Sequence, residues 1–242
     1  MKPYLLAAAV VMTMSSVAIA SDLPSKKTLA TPPVATSKSY DWSGAYIGIN
    51  GGYGTSNSDI NNIYFGGFPS PGDDGKLDMN GGLVGGQLGY NYQTGNIVFG
   101  LEADLDYANL KGNHLFEFGG NPVNLDGELS SIGTVRVRFG YAIDNLMIFA
   151  TGGFAYGSTH AALTSIVPPV ITASASKSYT GYTVGGGVEY GLSKNWTAKA
   201  EYLYADFGKR SNTYVFTNDI AEAVADTSLK SNIIRVGLNY KF

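Results

Sequence analysis

Ten charged side chains recur at alternate positions of segments otherwise rich in glycine and tyrosine: Glu102, Asp104 and Asp106; Arg136 and Arg138; Glu189; Lys199 and Glu201; Arg235 and Lys241. A spacing of two puts side chains of an extended chain on one face. Carboxylates facing guanidinium and ammonium groups can pair, and taken out of water together they form either a salt-bridged plug or a constriction whose rearranged pairs admit small solutes. Other chemistry is thinly represented. The chain has two histidines, His114 and His160, and neither belongs to a grouping of nucleophile, base and orienting group, so no catalytic residue is assigned. His114 beside Leu115, Phe116 and Phe118, or His160 near Tyr156, could supply an axial ligand to iron, which makes haemin a candidate ligand and leaves no other cofactor. Asp73, Asp74 and Asp78 fail the spacing of a calcium loop, so no metal site is assigned. Gly185-Gly186-Gly187 lacks the helix and acid of a dinucleotide site. Asp206-Phe207-Gly208 lacks the companion loops of a nucleotide enzyme and reads as a strand ending in a turn.

The elements that must position these charges follow from the residues between them. Ile97, Phe99, Leu101, Ala103, Leu105 and Tyr107 alternate with Gly100, Glu102, Asp104 and Asp106, and Val135, Val137, Phe139 and Tyr141 alternate with Arg136, Arg138 and Gly140. About eight such stretches of roughly ten residues run from Trp42 to Phe242, the length a tilted strand needs to cross a bilayer. The polar phase carries Gly48, Gly89, Gly100, Gly140, Gly153, Gly185, Gly187 and Gly237, as a narrow lumen requires. Phe149 is an exception in that small phase. The apolar phase carries Tyr90, Tyr92, Tyr107, Tyr141, Tyr156, Tyr190, Trp196, Tyr202, Tyr240 and Phe242, matching aromatic girdles at two lipid interfaces. The charges therefore point inward.

Connections alternate in length. Turn chemistry at Gln93 to Asn96, Asp144-Asn145 and Ser193 to Asn195 is short, whereas 55–80, 111–127, 158–177 and 208–229 are long. The fold class expected is an all-β, transmembrane antiparallel up-and-down barrel of eight strands with short periplasmic turns and four long extracellular loops.

Lys2, the apolar run Leu5 to Met14 and the small residues around Ile19 mark residues 1–20 as a secretory signal, too short to span a bilayer as a helix. Residues 21–41, with Pro24, Pro32 and Pro33, read as an extended periplasmic leader, and 42–242 as the barrel domain. The chain of 242 residues has no cysteine and a formal net charge of −3. Scattered basic residues and mild acidity argue against nucleic acid as a partner.

With YIGINGGYG, FATGGFAYG, WTAKAEYLYADFGKR and VGLNYKF in view, Trp42 to Phe242 resembles the RopB-type family of alphaproteobacterial outer-membrane proteins, which includes haemin-binding and surface-antigen members. That resemblance implies an eight-stranded barrel of the Gram-negative outer membrane, in contact with its lipids and lipopolysaccharide. It implies a role in envelope integrity and surface display, porin-like transport, or capture of haemin or a host surface, and leaves these open. Tyr240 and Phe242, closing the alternating run IIRVGLNYKF, resemble the C-terminal signal read by the barrel-insertion machinery. Deleting Phe242 should lower the fraction of chain that reaches the outer membrane while leaving secretion intact. Unchanged assembly would remove the insertion-signal assignment.

Overall fold

Period-two alternation persists for much longer than one bilayer crossing demands. The computed structural model describes residues 39–65, 68–69, 75–118, 121–165, 172–215 and 222–242. Residues expected as signal and leader lie outside these, except for Ser39 to Asp41. The strands are β1 (Gly44–Phe65), the two-residue β2 (Phe68–Pro69), β3 (Gly75–Thr94), β4 (Ile97–Phe118), β5 (Asn121–Ile143), β6 (Leu146–Ser165), β7 (Thr172–Gly191), β8 (Trp196–Val215) and β9 (Glu222–Lys241). Eight are long, and each pairs antiparallel with its neighbours. The ladder between β1 and β9, from Tyr46↔Lys241 to Phe65↔Ala223, closes the barrel. β2 folds back on the far end of β1.

The three short connections stand where turn chemistry placed them, at residues 95–96, 144–145 and 192–195. Asp144 takes a left-handed φ of 52°, which a short polar side chain tolerates. Phe242 lies at the same end and donates its N–H to Ala45 O. In barrels of this kind the end with the short turns is the periplasmic one.

The four long connections depart from expectation, because they are mostly strand. β1 runs on to Phe65, β4 to Phe118, β6 to Ser165 and β8 to Val215, each returning as a paired partner. Twenty residues at about 3.3 Å each give a strand of roughly 66 Å, or about 50 Å of height once tilted, against an apolar band of about 25 Å. Half the barrel therefore stands outside the bilayer.

Side-chain polarity changes where the strands leave the lipid. Below, the outward side chains are Ile49, Leu88, Leu101, Leu105, Val137 and Val236, all more than half exposed. Tyr53, Tyr107, Phe154 and Tyr182 bound this band on one side, and Tyr92, Phe99, Tyr141, Tyr190 and Phe242 on the other. Above Tyr107 the outward positions become Asn109, Lys111 and Asn113, while Ala108 and Leu110 turn inward and are fully buried. On β3, Lys76, Asp78 and Asn80 face out while Leu77 and Met79 face in. Asp78, considered above for calcium, accepts a hydrogen bond from Asn57 at 2.6 Å, and Asp73 and Asp74 lie outside the described residues. Lipid requires apolar outside and permits polar inside; water reverses both requirements.

Bulges cluster at this crossover, between Tyr107 and Leu110, Leu129 and Ser131, and Asp206 and Lys209. On β5 the bulge lets both Leu129 and Ile132 point inward. Asp206-Phe207-Gly208 is thus a bulge within β8, not a strand end. Gly208 has φ +70°, and its N–H donates to Asp206 Oδ1 at 2.8 Å, a kink glycine accepts without steric cost. The ladder between β7 and β8 ends here, at Tyr182↔Asp206.

Three positions on β4 test the crossover. Leu101→Arg should cost about 2 to 4 kcal/mol of folding free energy in lipid vesicles. Asn109→Arg, outward but above the girdle, should stay within about 0.5 kcal/mol, and Leu110→Ala, inward there, should cost about 2 to 5 kcal/mol. A costly Asn109→Arg would place the lipid boundary higher than drawn here.

Candidate functional site

The inward phase of the membrane half brings nine of the ten expected charges into one layer. Strand register sets Glu102 opposite Arg136, Glu189 opposite Lys199 and Glu201 opposite Arg235. Curvature then adds contacts across the lumen. Arg136, 1 % exposed, reaches Glu102 at 2.5 Å, Asp104 at 2.9 Å and Glu201 at 3.1 Å, so β5 is tied to β4 beside it and to β8 opposite. Arg235 holds Glu201 at 2.5 Å, Asp106 at 2.6 Å and Asp104 at 2.9 Å. Lys199 bridges Glu102 at 2.9 Å and Glu201 at 3.1 Å. Arg138 takes Glu189 at 2.6 Å and Glu102 at 3.4 Å. Glu189, next to Lys199 in the ladder, thus pairs with a guanidinium from β5, on the far side of β6.

The neutral residues of the same phase complete the layer. Tyr46 donates to Glu102 Oε2 at 2.6 Å and accepts from Arg138 Nη1 at 2.8 Å. Its ring lies over Gly89, where a Cβ would collide with the phenol, so glycine alone leaves it room. Thr197 and Asn239 donate to Glu189 Oε1 at 2.5 and 2.8 Å, Thr134 donates to Asp104, and Gln87 donates to Asn239 at 2.5 Å. Reading the charges alone misses these partners, although their place on the same alternating face was the available signal. Five carboxylates and four cations, their side chains at most 3 % exposed, fill the cross-section. Removing one partner would leave a charge unpaired in low dielectric, which is why such layers persist only when nearly every member is satisfied.

Lys241 does not belong to this layer. It sits at the periplasmic mouth, where Nζ donates to Asp41 O and lies 4.9 Å from the centre of the Tyr40 ring. Charge type and phase suggested membership, but β9 has reached the barrel's rim by that position. The end of the expected leader lies inside the mouth with the first residue of the expected barrel: Tyr40 is 8 % and Trp42 1 % exposed, and their rings tilt together with centres 4.6 Å apart. Gln93 fixes the segment by accepting from Trp42 N at 2.8 Å and donating its own N–H to Ser43 Oγ at 3.0 Å. Tyr40 and Trp42 pack with Val98, Ala142, Met147 and Phe149. Burial pushes the Tyr40 phenol up to about 12, with the Glu189 and Asp41 carboxylates adding to the shift. Phe149, the large residue in a small phase, also receives the Arg138 guanidinium 4.2 Å above its ring.

On the other side of the charges lies a larger apolar layer, including Leu83, Leu110, Leu129, Ile132, Leu203, Phe207, Leu229 and Ile233. The lumen is thus filled by aromatic, ionic and aliphatic layers in series. The two histidines lie apart. His114 lies on the inward phase of β4 opposite Leu125, near the upper rim, whereas His160 faces outward on β6 with Nδ1 2.8 Å from Ser176 Oγ. Tyr240 and Phe242 lie on the outward phase, stacked edge to face at 5.4 Å.

Comparison with known proteins agrees with this geometry. The chain is 35 % identical over 247 residues to the 31 kDa outer-membrane immunogenic protein of Brucella melitensis, covering 100 % of both chains. It is 31 % identical to the 22 kDa outer membrane protein of Rhizobium leguminosarum bv. viciae, over 83 % of this chain and 78 % of that one. Among solved structures, the outer membrane protein OprG from Pseudomonas aeruginosa aligns over 84 % of this chain and 98 % of its own with a TM-score of 0.58, at 14 % identity, a likeness of fold alone. The profile of the outer membrane protein beta-barrel domain matches residues 7–242, and with alphaproteobacterial relatives along its whole length the chain belongs to that family of outer-membrane β-barrel proteins.

Proposed function

We propose that this outer-membrane barrel is a closed, non-enzymatic element of the envelope that stiffens the membrane and carries a rigid polar surface beyond it. The observation that supports this reading is the sealed cross-section: Arg136 and Arg235 together bind four carboxylates drawn from β4 and β8, with no side chain of the group more than marginally exposed. A conducting pore needs water beside its charges. Here the charges face one another, and apolar layers cover them on both sides. Carboxylates so enclosed are also out of reach of a substrate, which is the ground for the non-enzymatic assignment.

The protruding half supports the surface role. Its outward side chains, among them Asn57, Asp78, Lys111, Asp126 and Lys230, are polar and exposed on strands braced by a packed interior. A face of this kind offers fixed hydrogen-bonding groups to lipopolysaccharide sugars or to a host surface without ordering a loop on binding. The insertion machinery remains the expected partner of the C-terminal strand during assembly.

Planar-bilayer recording of the refolded full-length chain tests the closed state. The wild type should show no discrete current steps, and Tyr40→Ala with Trp42→Ala should also stay silent, because the ionic and aliphatic layers remain. Stepwise conductance from the folded wild type would replace this reading with porin-like transport. In the source bacterium, loss of the protein should raise sensitivity to detergent, and the silent double variant should restore resistance.

A further inference from the structure

The outer face carries a depression at membrane depth, of about 730 Å³, running across β9, β1, β3 and β4. Its floor is made by the absence of side chains: Gly86 stands between Ile49 on β1 and Leu105 on β4, and Ala103 stands beside Leu88. The walls are tall, with Ile49 at 68 %, Leu105 at 64 % and Leu88 at 60 % exposure. Toward the periplasmic side the groove ends at Trp196 and Tyr240, whose rings meet edge to face at 5.2 Å. Two residues before Trp196, in the turn between β7 and β8, Lys194 is exposed between Ser193 and Asn195.

We propose that this groove is a binding site for one phospholipid of the periplasmic leaflet, its acyl chain lying over Gly86 and its phosphate held at Lys194. The inference rests on the membrane-spanning reading of the barrel and is independent of whether the lumen conducts. An apolar channel that ends in a tryptophan, a tyrosine and then a lysine reproduces the order of a lipid from chain to interface to anionic head. The position selects the leaflet, because this end carries the short turns. A second copy of the chain fits less well. A two-fold contact would set the same concavity against itself, and the facing hollows would lose the dispersion contacts that a flexible chain supplies.

The chain's tryptophans give a direct readout. It has two; Trp196 borders the groove, and Trp42 is enclosed in the lumen. The full chain carrying Trp42→Phe is reconstituted in phosphatidylcholine vesicles with a small fraction of chain-brominated phosphatidylglycerol, and Trp196 fluorescence is followed. Quenching should be several-fold stronger than with the same fraction of brominated phosphatidylcholine. Lys194→Gln should abolish that preference while leaving the shared, chain-dependent quenching. Gly86→Phe should reduce quenching to the level of random lipid contact; a Cβ at this position meets nothing nearer than the Gly48 carbonyl oxygen at 3.7 Å. Ala103→Phe fills the same floor from the next strand and should act alike, so the result does not depend on one variant folding. Equal quenching by the two lipids, or quenching unaffected by either filled groove, overturns the proposal. So does a detergent-stable dimer that Gly86→Phe dissociates, which would assign the groove to a second copy.

Discussion

In a bilayer a strand cannot leave its backbone groups unpaired, because no water is present to take them up. Closure of β9 onto β1 is therefore the constraint on which the rest of the structure depends. Once the sheet closes, every second side chain is committed to an interior of fixed and narrow width, and its composition must fill that width. Gly89 admits the Tyr46 ring, and the carboxylates admit the guanidinium groups without leaving them unpaired. The ladders continue beyond the girdle on the other seams, while the one between β7 and β8 stops at Tyr182↔Asp206. What changes there is only which phase is apolar, with the bulges at Leu129 and Asp206 absorbing the adjustment.

This explains which parts could be read from the residues alone. In the lipid-spanning half, alternation is strong on both faces: β4 sets Phe99, Leu101 and Leu105 against Glu102, Asp104 and Asp106, and phase, register and inward charges were all legible. In the outer half the same period is diluted. Lys76-Leu77-Asp78-Met79-Asn80 alternates cleanly, but it carries two apolar residues on the phase opposite to Val84, Leu88 and Tyr90. A reading that follows apolar-outward periodicity loses the strand where the solvent changes. Long polar connections were the natural inference, and strand pairing with a packed interior is the outcome.

The ionic layer shows a second limit. Adjacent pairs, such as Glu102 with Arg136 and Glu201 with Arg235, follow from chain order, since consecutive strands are neighbours. Arg138 with Glu189 and Lys199 with Glu102 depend on curvature, which brings together side chains from strands that are not paired. The segment Tyr40 to Ser43 was illegible for another reason. It has no periodicity of its own, and its burial comes from Gln93, Met147 and Phe149, residues far away in sequence. Lys241 was drawn into the charged set by phase alone, although its height on the barrel pairs it with that segment instead.

A buried ionic layer is a costly way to fill a lumen, since well-packed apolar residues of similar volume are often as stable or more so. Its use here is understandable in terms of register. The strands that carry these charges set them against an apolar outward phase, so a slip of one residue between neighbours would turn Arg136, Arg138 or Glu102 into lipid and bring Val135 and Leu101 into the lumen. An apolar lumen would penalise that slip weakly, because either phase could then face either side. Charges make the penalty large for each strand that carries them, and those of β4, β5, β7, β8 and β9 interlock through shared partners, so that no one of these strands can shift without unpairing several others. β1 and β3 lack charges in this layer but enter it through Tyr46 and Gln87. The interlocking that seals the lumen is thus also what gives the closing ladder a single register.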